Sequence, residues 1–596
     1  MRTRLIKLRF RRHLRKGQRQ VEGLGTQAEE HIDQHLLGRF DRLIPVRRFV
    51  AAWLGLMALL IGGLVVQNLA LSSHYQSLKF VPGGIYNEGV LGHFTNANPI
   101  YATSDADATV SRLIFAGLFT YNSSGELKGD LASDYTVDAK GNTYTVHLKP
   151  DLKWQDGQPL TSADVVFTYQ LIQNPDVKSP LQSGWQGIEV SAPDARTVVF
   201  KLPGILASFP YSMTNGIVPK HLLSEIKPVD MRTADFNTIK PVGAGPFAWQ
   251  AIEVGGNGDP KHSQEKIALQ PFADYALGLP KLQKFVVQIY ADKDELADAL
   301  DQNQLTGVEG LTEAPEQIEN NNHITKNSMT LRAANMVFFK NSIGVLSDTN
   351  VRKALVQGAN VPEITSQLDY RTPKVREPIL MGQVAYDHSL VQSGYNPKGA
   401  ISTLDAAGWT TRTSDGTTRT KADQKLEFTL TAANTREYHM VTDKLKKQWQ
   451  QLGVKLNVQF LEAADFQNAL TNHSYEAILY GIAIGPDPDV FVYWDSSQAD
   501  IRSANRLNLS EYKNPTADAS LEAGRTRLDP ALRAIKYKPF LQVWQADNPA
   551  LGLYQPRLLY LTNGQVSGLA EQPINTATDR FINVHNWQIR QAKVTN

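Results

Sequence analysis

A short acidic turn with aromatic neighbours offers the clearest chemistry in this chain of 596 residues. The sequence GPDPD places two carboxylates, Asp487 and Asp489, two positions apart. One interpretation is a cation site, because carboxylate oxygens are preferred ligands of Ca²⁺ and Mg²⁺. The other is a turn punctuated by proline, since no further ligand group is close in sequence. Tyr480, Tyr493 and Trp494 flank the turn, and rings with polar edges suit the wall of a pocket for an organic solute.

The sequence carries none of the common catalytic signatures. GxSxG, HExxH, P-loop and CxxC patterns are all absent. The thirteen histidines are interpreted as surface or core residues rather than metal ligands. We therefore predict a protein that is not an enzyme and that uses no cofactor or metal. A hydrolase that works through the acidic turn is the remaining enzymatic alternative.

Composition and charge limit the domain organisation and the kinds of site that the protein can contain. The formal net charge is +2 at pH 7 and 42% of the residues are hydrophobic, so we expect substantial cores in two or more lobes. Nine of the first twenty residues are Lys or Arg. Cysteine is absent, which excludes disulfides, thiolate metal sites, cysteine nucleophiles and a lipid-modified cysteine.

An apolar run follows the basic segment. Residues 49–66 contain no charged side chain, and at about 1.5 Å per residue they span roughly 27 Å, close to the thickness of a bilayer core. We predict a basic cytoplasmic segment at 1–48, a transmembrane helix at 49–71 and a linker at 72–88, with the rest of the chain extracellular or periplasmic. The alternative is a cleaved signal peptide, whose basic lead-in and apolar core are shorter.

The most regular sequence pattern lies upstream of the acidic turn, at residues 129–171. Polar and apolar side chains alternate over 143–149 with the two-residue period of a strand, and AKGN before them supplies a turn. This pattern predicts a β-hairpin. Thr161 then precedes Asp164 as a helix N-cap, so a helix is predicted at 164–171.

Strands and helices alternate in the second half of the chain, which favours a second α/β lobe. An exposed hairpin is expected at 410–425, and a buried strand at 550–554 is expected to return the chain to the first lobe. The other predicted strands are 285–289, 336–340, 426–432, 454–460 and 477–481, and the predicted helices are 294–305, 350–360 and 441–452.

Several motifs resemble one family in the same order along the chain. The motif at 131–167, LAxxY followed by GNTYTVHLKPDLKWQDGQPLTSADVVF, is similar to the signature block of the family 5 extracellular solute-binding proteins, the peptide- and oligopeptide-binding components of ABC importers. Similar matches follow at VGAGPFAW, SDTNVRKALVQGAN, ISTLDAAGW and IAIGPDPDVFVYW. The resemblance covers about residues 89–584.

The resemblance implies an α/β fold of the periplasmic-binding-protein type, with two lobes that close on a ligand by hinge motion. The larger lobe would comprise 89–308 and 550–596, and the second lobe 309–549. The chain would cross between them near 306–310 and 548–554.

The resemblance also implies which residues contact the ligand. It points to the segment around the acidic turn and to one residue near the start of the larger lobe: Tyr101, Tyr480, Ile482, Ile484, Asp487, Tyr493 and Trp494.

The same segment departs from the family pattern. Peptide-binding members typically carry an aspartate two or three positions before the DPD-like turn, where it pairs with the α-ammonium of the peptide. Ile484 and Gly485 occupy those positions here. Either Asp487 takes over this contact, or the solute has no free ammonium, as in a sugar or an amide.

We therefore predict a membrane-anchored solute-binding subunit of an ABC importer. Its partners would be a small solute such as a peptide, the permease subunits and the lipid bilayer, with no role for nucleic acid. The alternative is a surface sensor or interaction protein that keeps the fold without import.

Overall fold

The structure is a computed structural model that describes residues 46–122, 125–255, 263–319, 321–500, 502–503, 506–569 and 572–595. The chain forms two compact units, one of Met1–Lys79 with Gln591–Asn596 and one of Phe80–Arg590. Residues 1–45 of the expected basic segment lie outside the described residues.

The first unit contains the predicted apolar helix. Helix α1 (Arg47–Tyr75) has 29 residues, and its apolar part, Arg47–Asn68, is long enough to cross a membrane. These 22 residues span about 33 Å. Strand β1 (Gln76–Val81) follows within the expected linker and pairs with β23 (Arg590–Thr595).

A seven-stranded mixed sheet forms the centre of the larger lobe. In pairing order its strands are β13 (Ile324–Thr330), β22 (Arg557–Asn563), β12 (Gly307–Glu309), β2 (Ile85–Leu91), β11 (Lys284–Tyr290), β10 (Gln264–Pro271) and β9 (Phe247–Gly255). Strand β2 runs parallel to both of its neighbours, and the other pairs are antiparallel.

The predicted hairpin is confirmed. Tyr144 and Val146 in its second strand are fully buried, as the alternation predicts. The hairpin belongs to a four-stranded antiparallel sheet of β5 (Ala132–Val137), β6 (Thr143–Leu148), β8 (Thr197–Lys201) and β7 (Glu189–Asp194), beside the pair β3 (Phe119–Tyr121) and β4 (Leu127–Gly129).

The predicted helix N-cap is also confirmed. Thr161 precedes a helix at Ser162–Gln173, and its backbone N–H donates to Asp164 Oδ2 at 2.9 Å. This contact supplies a partner for an amide that the helix itself cannot satisfy. The helices of the larger lobe are α2 (Asp105–Ile114), α3 (Ser162–Gln173), α4 (Gln182–Trp185), α5 (Phe209–Ser212), α6 (Lys220–Leu223), α7 (Lys293–Asp301) and α8 (Glu316–Glu319).

The smaller lobe is built on a five-stranded sheet. In pairing order it contains β19 (Lys455–Leu461), β18 (Glu427–Ala433), β20 (Ala477–Ala483), β14 (Ala333–Phe339) and β21 (Ala550–Tyr554). Side chains of β14 alternate between two cores, with Val337 and Phe339 in one and Met336 and Phe338 in the other. Burial on both faces explains why this strand is continuously apolar.

The remaining elements of the smaller lobe surround this sheet. The expected hairpin at 410–425 is confirmed as β15 (Thr411–Arg412), β16 (Arg419–Lys421) and β17 (Gln424–Lys425). The helices are α9 (Thr349–Gln357), α10 (Val361–Thr365), α11 (Pro397–Ala406), α12 (Arg436–Gln451), α13 (Ala463–Asn472), α14 (Phe491–Trp494), α15 (Pro515–Arg525) and α16 (Pro530–Asp547).

Both crossings lie later in the chain than the expected 306–310 and 548–554, the first by about twenty residues and the second directly after the expected range. Residues 306–310 lie in and around β12, inside the larger sheet, and the chain changes sheets only after β13, at 331–332. Strand β21, at 550–554, still belongs to the smaller sheet, and the return crossing is at 555–556. Strand pairing decides these positions, and pairing partners far apart in sequence cannot be read from local patterns.

Candidate functional site

A cavity of about 510 Å³ lies between the two lobes. The larger lobe contributes the end of β12 with the loop that follows it, the start of β22, and Asp105 at the start of α2. The smaller lobe contributes Asn335, Tyr480, Phe466, the segment 367–370 and the first turn of α12. We call this space the interlobe cavity. Its volume is in the range of small-molecule sites.

The two crossing segments are hydrogen-bonded to each other beside this cavity. Leu331 N donates to Pro556 O at 2.9 Å, and Gln555 Nε2 donates to Leu331 O at 3.3 Å. Pro556 also lines the cavity wall. A movement of one lobe relative to the other must turn about these few residues, so the cavity adjoins the hinge.

Tyrosines form part of the wall on the smaller lobe, and acidic and amide side chains hold their hydroxyl groups. Tyr370 Oη donates to Glu437 Oε2 at 3.1 Å, and Tyr554 Oη donates to Glu437 Oε1 at 2.6 Å. Tyr438 Oη lies 3.4 Å from Asn335 Oδ1. Burial, together with Glu437, raises the pKa of the Tyr370 hydroxyl, so the phenol stays neutral and donates.

The cavity is lined by more negative than positive groups. Its carboxylates are Asp105, Glu309, Glu313, Glu319, Asp369 and Glu437, and its guanidinium groups are Arg436 and Arg557. Arg557 Nη2 donates to both oxygens of Asp369 at 2.6 and 2.8 Å. The Cζ atom of Arg557 lies 4.2 Å from the centre of the Tyr370 ring. Arg436 Nη1 lies 3.5 Å from Glu313 Oε2, an exposed ion pair that connects the two lobes.

Glu309 is the most buried of these carboxylates, with 3% of its surface exposed. Its Oε2 has no hydrogen-bond partner within the described part of the chain, and Arg580 Nη2 lies 3.9 Å away. Burial raises the pKa of the Glu309 carboxyl to about 7; Arg580 opposes the shift, and the negative charges of Asp105 and Glu88 add to it. An unsatisfied carboxylate of this kind is costly to bury.

Arg580 is already occupied by another carboxylate. Its Nε and Nη2 donate to Glu88 Oε1 at 3.0 and 2.9 Å, and both residues are fully buried. Tyr560 Oη donates to the other oxygen of Glu88 at 2.5 Å. The guanidinium of Arg580 is therefore shared by Glu88 and Glu309, with the hydrogen bonds going to Glu88.

Of the seven residues predicted as ligand contacts, Tyr480 lines the interlobe cavity. Ile482 and Ile484 are buried in the core of the smaller lobe, at 2% and 7% exposure. Trp494 is fully buried in the same core, edge-on to Trp544 at 5.5 Å.

The remaining three also lie outside the lining of this cavity. Tyr493 Oη donates to Ala483 O at 2.8 Å. Tyr101 is buried in the larger lobe, and its Oη donates to Val177 O at 2.9 Å. Asp487 is buried, and its two oxygens accept hydrogen bonds from Arg533, each at 2.7 Å. A role in ligand contact stays a prediction for these residues.

The acidic turn is held by arginines. Besides the Asp487–Arg533 pair, Asp489 Oδ2 accepts hydrogen bonds from Arg525 at 3.0 and 3.2 Å and from Ser208 Oγ at 3.2 Å. Across the described residues, no group of three or more His, Cys, Asp or Glu side chains is arranged to hold a metal ion. The geometry therefore favours the interpretation of GPDPD as a structural turn.

Sequence reasoning missed the acidic wall of the cavity. The available signal was Glu309 at the end of the short strand GVE, all three residues of which are buried. A charged residue at a buried strand position has few purposes besides pairing or function. The tyrosines Tyr370 and Tyr438 carried no comparable signal, because tyrosine is common in cores.

Two α/β lobes joined by two short crossings around a cavity define the two-lobed binding-protein fold that the sequence predicted. The chain belongs to the bacterial extracellular solute-binding proteins of family 5: the sequence model described as "Bacterial extracellular solute-binding proteins, family 5 Middle" matches residues 126–503. The predicted family is thus confirmed.

Individual relatives agree with this assignment. The oligopeptide-binding protein AppA of Bacillus subtilis is 26% identical over 487 residues, which are 80% of this chain and 86% of that protein. The structure of AppA from Bacillus subtilis in complex with a nonapeptide matches with a TM-score of 0.67 and 23% identity, covering 86% of this chain and 100% of the other. The ABC transporter substrate binding protein CtaP from Listeria monocytogenes matches with a TM-score of 0.73 and 22% identity, covering 85% and 99%.

Proposed function

We propose that this protein is a membrane-anchored solute-binding subunit of an ABC importer. It binds a peptide or a similar small solute in the interlobe cavity, closes its lobes over it and delivers it to the permease. The observation that carries the proposal is a cavity walled by both lobes and adjoining the two hydrogen-bonded crossing segments. A solute that touches both walls favours the closed arrangement by the difference in its affinity for the two states.

The peptide part of the proposal draws on the relatives. AppA of Bacillus subtilis is an oligopeptide-binding protein, and its structure holds a nonapeptide. The cavity described above has polar side chains from both lobes and tyrosine hydroxyl groups in its wall, which suit hydrogen bonding to amide groups.

The membrane part of the proposal draws on helix α1. All of its described side chains from 51 to 68 are exposed, and an exposed apolar surface of this length is stable in a bilayer. With the basic residues before it in the cytoplasm, the solute-binding lobes lie on the opposite side of the membrane.

The absence of cysteine makes a direct test of closure simple. We would introduce Lys293→Cys on α7 and Lys446→Cys on α12, both at exposed positions in different lobes, into the full-length chain in detergent, and attach a fluorescent donor and acceptor. A panel of peptides of two to nine residues and of disaccharides is then titrated. A saturable change in energy transfer with at least one solute is expected. No change with any member of the panel would contradict the proposal.

The control places both labels in one lobe. Lys293→Cys with Glu189→Cys puts both dyes on exposed positions of the larger lobe. This pair should show no change when the solute is added, because distances within one lobe stay fixed during hinge motion. A change of equal size in the control would mean that the dyes report something other than closure.

A further inference from the structure

We infer that the outer edge of strand β13 binds an extended polypeptide segment of another protein, which adds to the seven-stranded sheet as a further strand. This second binding site is separate from solute binding, because none of its described lining residues also lines the interlobe cavity. Unpaired backbone groups, a strand pairing that has already begun at this edge, and an open groove beside it point to such a partner.

Two residues of β13 turn their backbone groups away from the sheet. Strand β13 lies at one end of the larger sheet, where it pairs with β22. Leu331 N donates to Pro556 O at 2.9 Å on the β22 side, so odd-numbered residues hydrogen-bond to β22 and the even-numbered Lys326 and Ser328 point outward. Within the described part of the chain, no group hydrogen-bonds to the backbone N–H or C=O of either residue.

The outer side of β13 already accepts the beginning of another strand. Ile574 N donates to Thr330 O at 2.9 Å, and Ile574 forms a parallel bridge with Leu331. Thr330 belongs to the same even-numbered row as Lys326 and Ser328, because every second residue of a strand points the same way. The edge therefore has the geometry for strand pairing, and two residues of it still lack a partner strand.

An open groove of about 660 Å³ follows this edge. Five consecutive residues of β13, 325–329, line the groove, together with Phe80, Thr562 and the segment 565–569. Successive side chains of a strand point to opposite faces of the sheet, so a groove that all five residues line lies against the edge of the strand. We call this space the edge groove. It gives an incoming strand room beside the unpaired backbone groups.

The charge at this edge does not block it. Lysine on an edge strand commonly prevents pairing with another chain, and Lys326 is exposed. Its Nζ, however, donates to Glu319 O at 3.4 Å, at the end of α8. The neighbouring edge residues Thr325 and Ser328 are exposed and uncharged. An added strand can thus reach the backbone without burying an unpaired ammonium.

The lining determines what kind of segment fits. Lys326 is the one charged side chain among the described residues that line the edge groove, and Phe80, Val566 and Leu569 add apolar surface between hydroxyl and amide groups. A neutral or acidic segment with alternating polar and apolar side chains matches this lining, whereas Lys326 repels a basic one. Main-chain hydrogen bonds to the two unpaired residues, up to about four in number, supply affinity that tolerates sequence changes.

The test measures binding of a peptide to the full-length chain in detergent by fluorescence anisotropy. The probe is a fluorescein-labelled heptapeptide with blocked termini, in which threonine and valine alternate and the last residue is glutamate. A second probe carries N-methyl groups on its three central amides, so that neither edge of the peptide can pair. We expect the first probe to bind at least about tenfold more tightly than the second. Equal binding of the two probes, or no binding of the first, would overturn the inference.

A pair of variants at one position tests the edge itself. Ser328→Pro removes the outward N–H and places a ring on the edge, and proline is tolerated in an edge strand where its N–H would face solvent. The expected loss of affinity is about threefold to tenfold. Ser328→Ala keeps the amide and should bind as the natural protein does. An equal loss in both variants would overturn pairing through the backbone, and the N-methylated probe keeps the test decisive if Ser328→Pro does not fold.

Disulfide trapping locates the bound peptide, because the chain has no cysteine. Thr325→Cys places a thiol in the edge groove, and Glu313→Cys places one in the interlobe cavity, both at exposed positions. The heptapeptide with cysteine as its last residue should form a disulfide with Thr325→Cys, with or without trapping at the other site. Trapping at Glu313→Cys alone would mean that the peptide binds as a solute and would overturn the edge site.

Two other occupants are outcomes of the same experiments. Dimerisation of the natural chain that Ser328→Pro abolishes would assign the edge to a second copy. Displacement of the bound heptapeptide by maltoheptaose would assign the groove to a glycan. Either result would overturn a partner protein as the occupant. Lobe closure on a solute is measured separately by energy transfer, and it should be the same in Ser328→Pro and in the natural protein.

Discussion

Buried carboxylates in this protein differ in whether an arginine neutralises them. Asp487 and Glu88 each accept two hydrogen bonds from one guanidinium, whereas Glu309 has only a distant share of Arg580. These hydrogen bonds fix the geometry of the first two pairs, and a charge pair is stable inside a protein only when its geometry is fixed. Glu309, which lines the interlobe cavity, has only this longer ion pair. Burial alone therefore does not determine how far a carboxylate is neutralised; its partners do.

The stability of the protein should depend on pH through Glu309. Burial raises the pKa of its carboxyl to about 7 in the folded chain, above its ordinary value of 4.5. The folded state holds the proton longer, so the group lowers the free energy of unfolding as pH rises through this interval. The free energy of unfolding of the Glu309→Gln variant, relative to that of the natural protein, should therefore increase by about 2 kcal/mol when the pH rises from about 5 to about 8. Thermal unfolding of the full-length chain at both pH values measures this.

Measuring the difference in stability between the natural protein and Glu309→Gln controls for the other titrating groups. Other buried acids titrate in the same range, including Glu377, whose pKa burial raises to about 8. Because both proteins contain them, their contribution cancels in the difference. A stability difference that stays constant from pH 5 to pH 8 would contradict the raised pKa of Glu309.

The Asp487–Arg533 pair should be essential for the acidic turn. Arg533→Met leaves Asp487 buried without its guanidinium and should cost about 3–5 kcal/mol, because an unpaired buried charge is strongly destabilising. The double variant Arg533→Met with Asp487→Asn removes both charges and should recover most of the loss. Urea denaturation of the three proteins provides the measurement, and equal stability of the single and double variants would contradict a buried pair.

At the scale of elements, helix α16 continues through a proline with the help of its neighbour. Pro539 lies inside this helix and removes one backbone donor. Ser520 of α15 bridges the adjacent position: Phe540 N donates to Ser520 Oγ at 3.0 Å, and Ser520 Oγ donates to Lys536 O at 2.5 Å. A hydroxyl from another helix thus connects the Phe540 amide to the Lys536 carbonyl beside the proline.

Removing that hydroxyl should destabilise the pair of helices. Ser520→Ala removes one hydrogen-bond partner from the Phe540 amide and one from the Lys536 carbonyl, at a site where Ser520 is 5% exposed. The expected cost is about 1–3 kcal/mol, the penalty for unsatisfied buried groups. Thermal unfolding measures it, with Thr516→Ala on the exposed face of α15 as the control, which should change stability by less than about 0.5 kcal/mol. Similar losses in the two variants would contradict the bridging role.

The same helix shows a limit of sequence-based prediction. The sequence analysis predicts no element at 530–547, and a proline within a helical pattern ordinarily ends the helix. The compensation comes from a residue on another helix, and no local pattern in α16 reveals it. Elements whose sequence signals all lie within the element or next to it can be predicted from the sequence. The hairpin β5–β6 and helix α3 were predicted correctly, since alternation, turn and N-cap all lie within about forty residues.

At the scale of the whole molecule, the chain combines one apolar helix with a body of two lobes. Helix α1 has the length and composition to cross a bilayer. The two lobes enclose a cavity beside their crossing segments. Under the proposed function, this helix would keep the binding protein near the membrane, where its local concentration at a permease is high.

The orientation in the membrane can be measured directly because the chain has no cysteine. In intact cells, Lys293→Cys should react with a maleimide that cannot cross membranes, whereas Gln27→Cys should react only after the membrane is permeabilised. Lys293 is exposed in the larger lobe, so its reactivity depends on its side of the membrane and not on burial. Labelling of both positions in intact cells would contradict a cytoplasmic N-terminus, and loss of the chain from the membrane fraction would contradict the anchor.

The sequence by itself determined the family, the apolar helix and most individual strands and helices, because these depend on composition, spacing and short-range patterns. Tertiary structure alone decided where the chain crosses between lobes, since this depends on which distant strands pair. Tertiary structure also decided which acidic residues line the interlobe cavity. Sequence reasoning pointed to Asp487 in the acidic turn, yet Arg533, 46 positions away, occupies that carboxylate. Glu309, at the end of a three-residue strand, meets the cavity with its charge only partly balanced. Charge balance inside a protein is a property of neighbours in space, and only the fold brings those neighbours together.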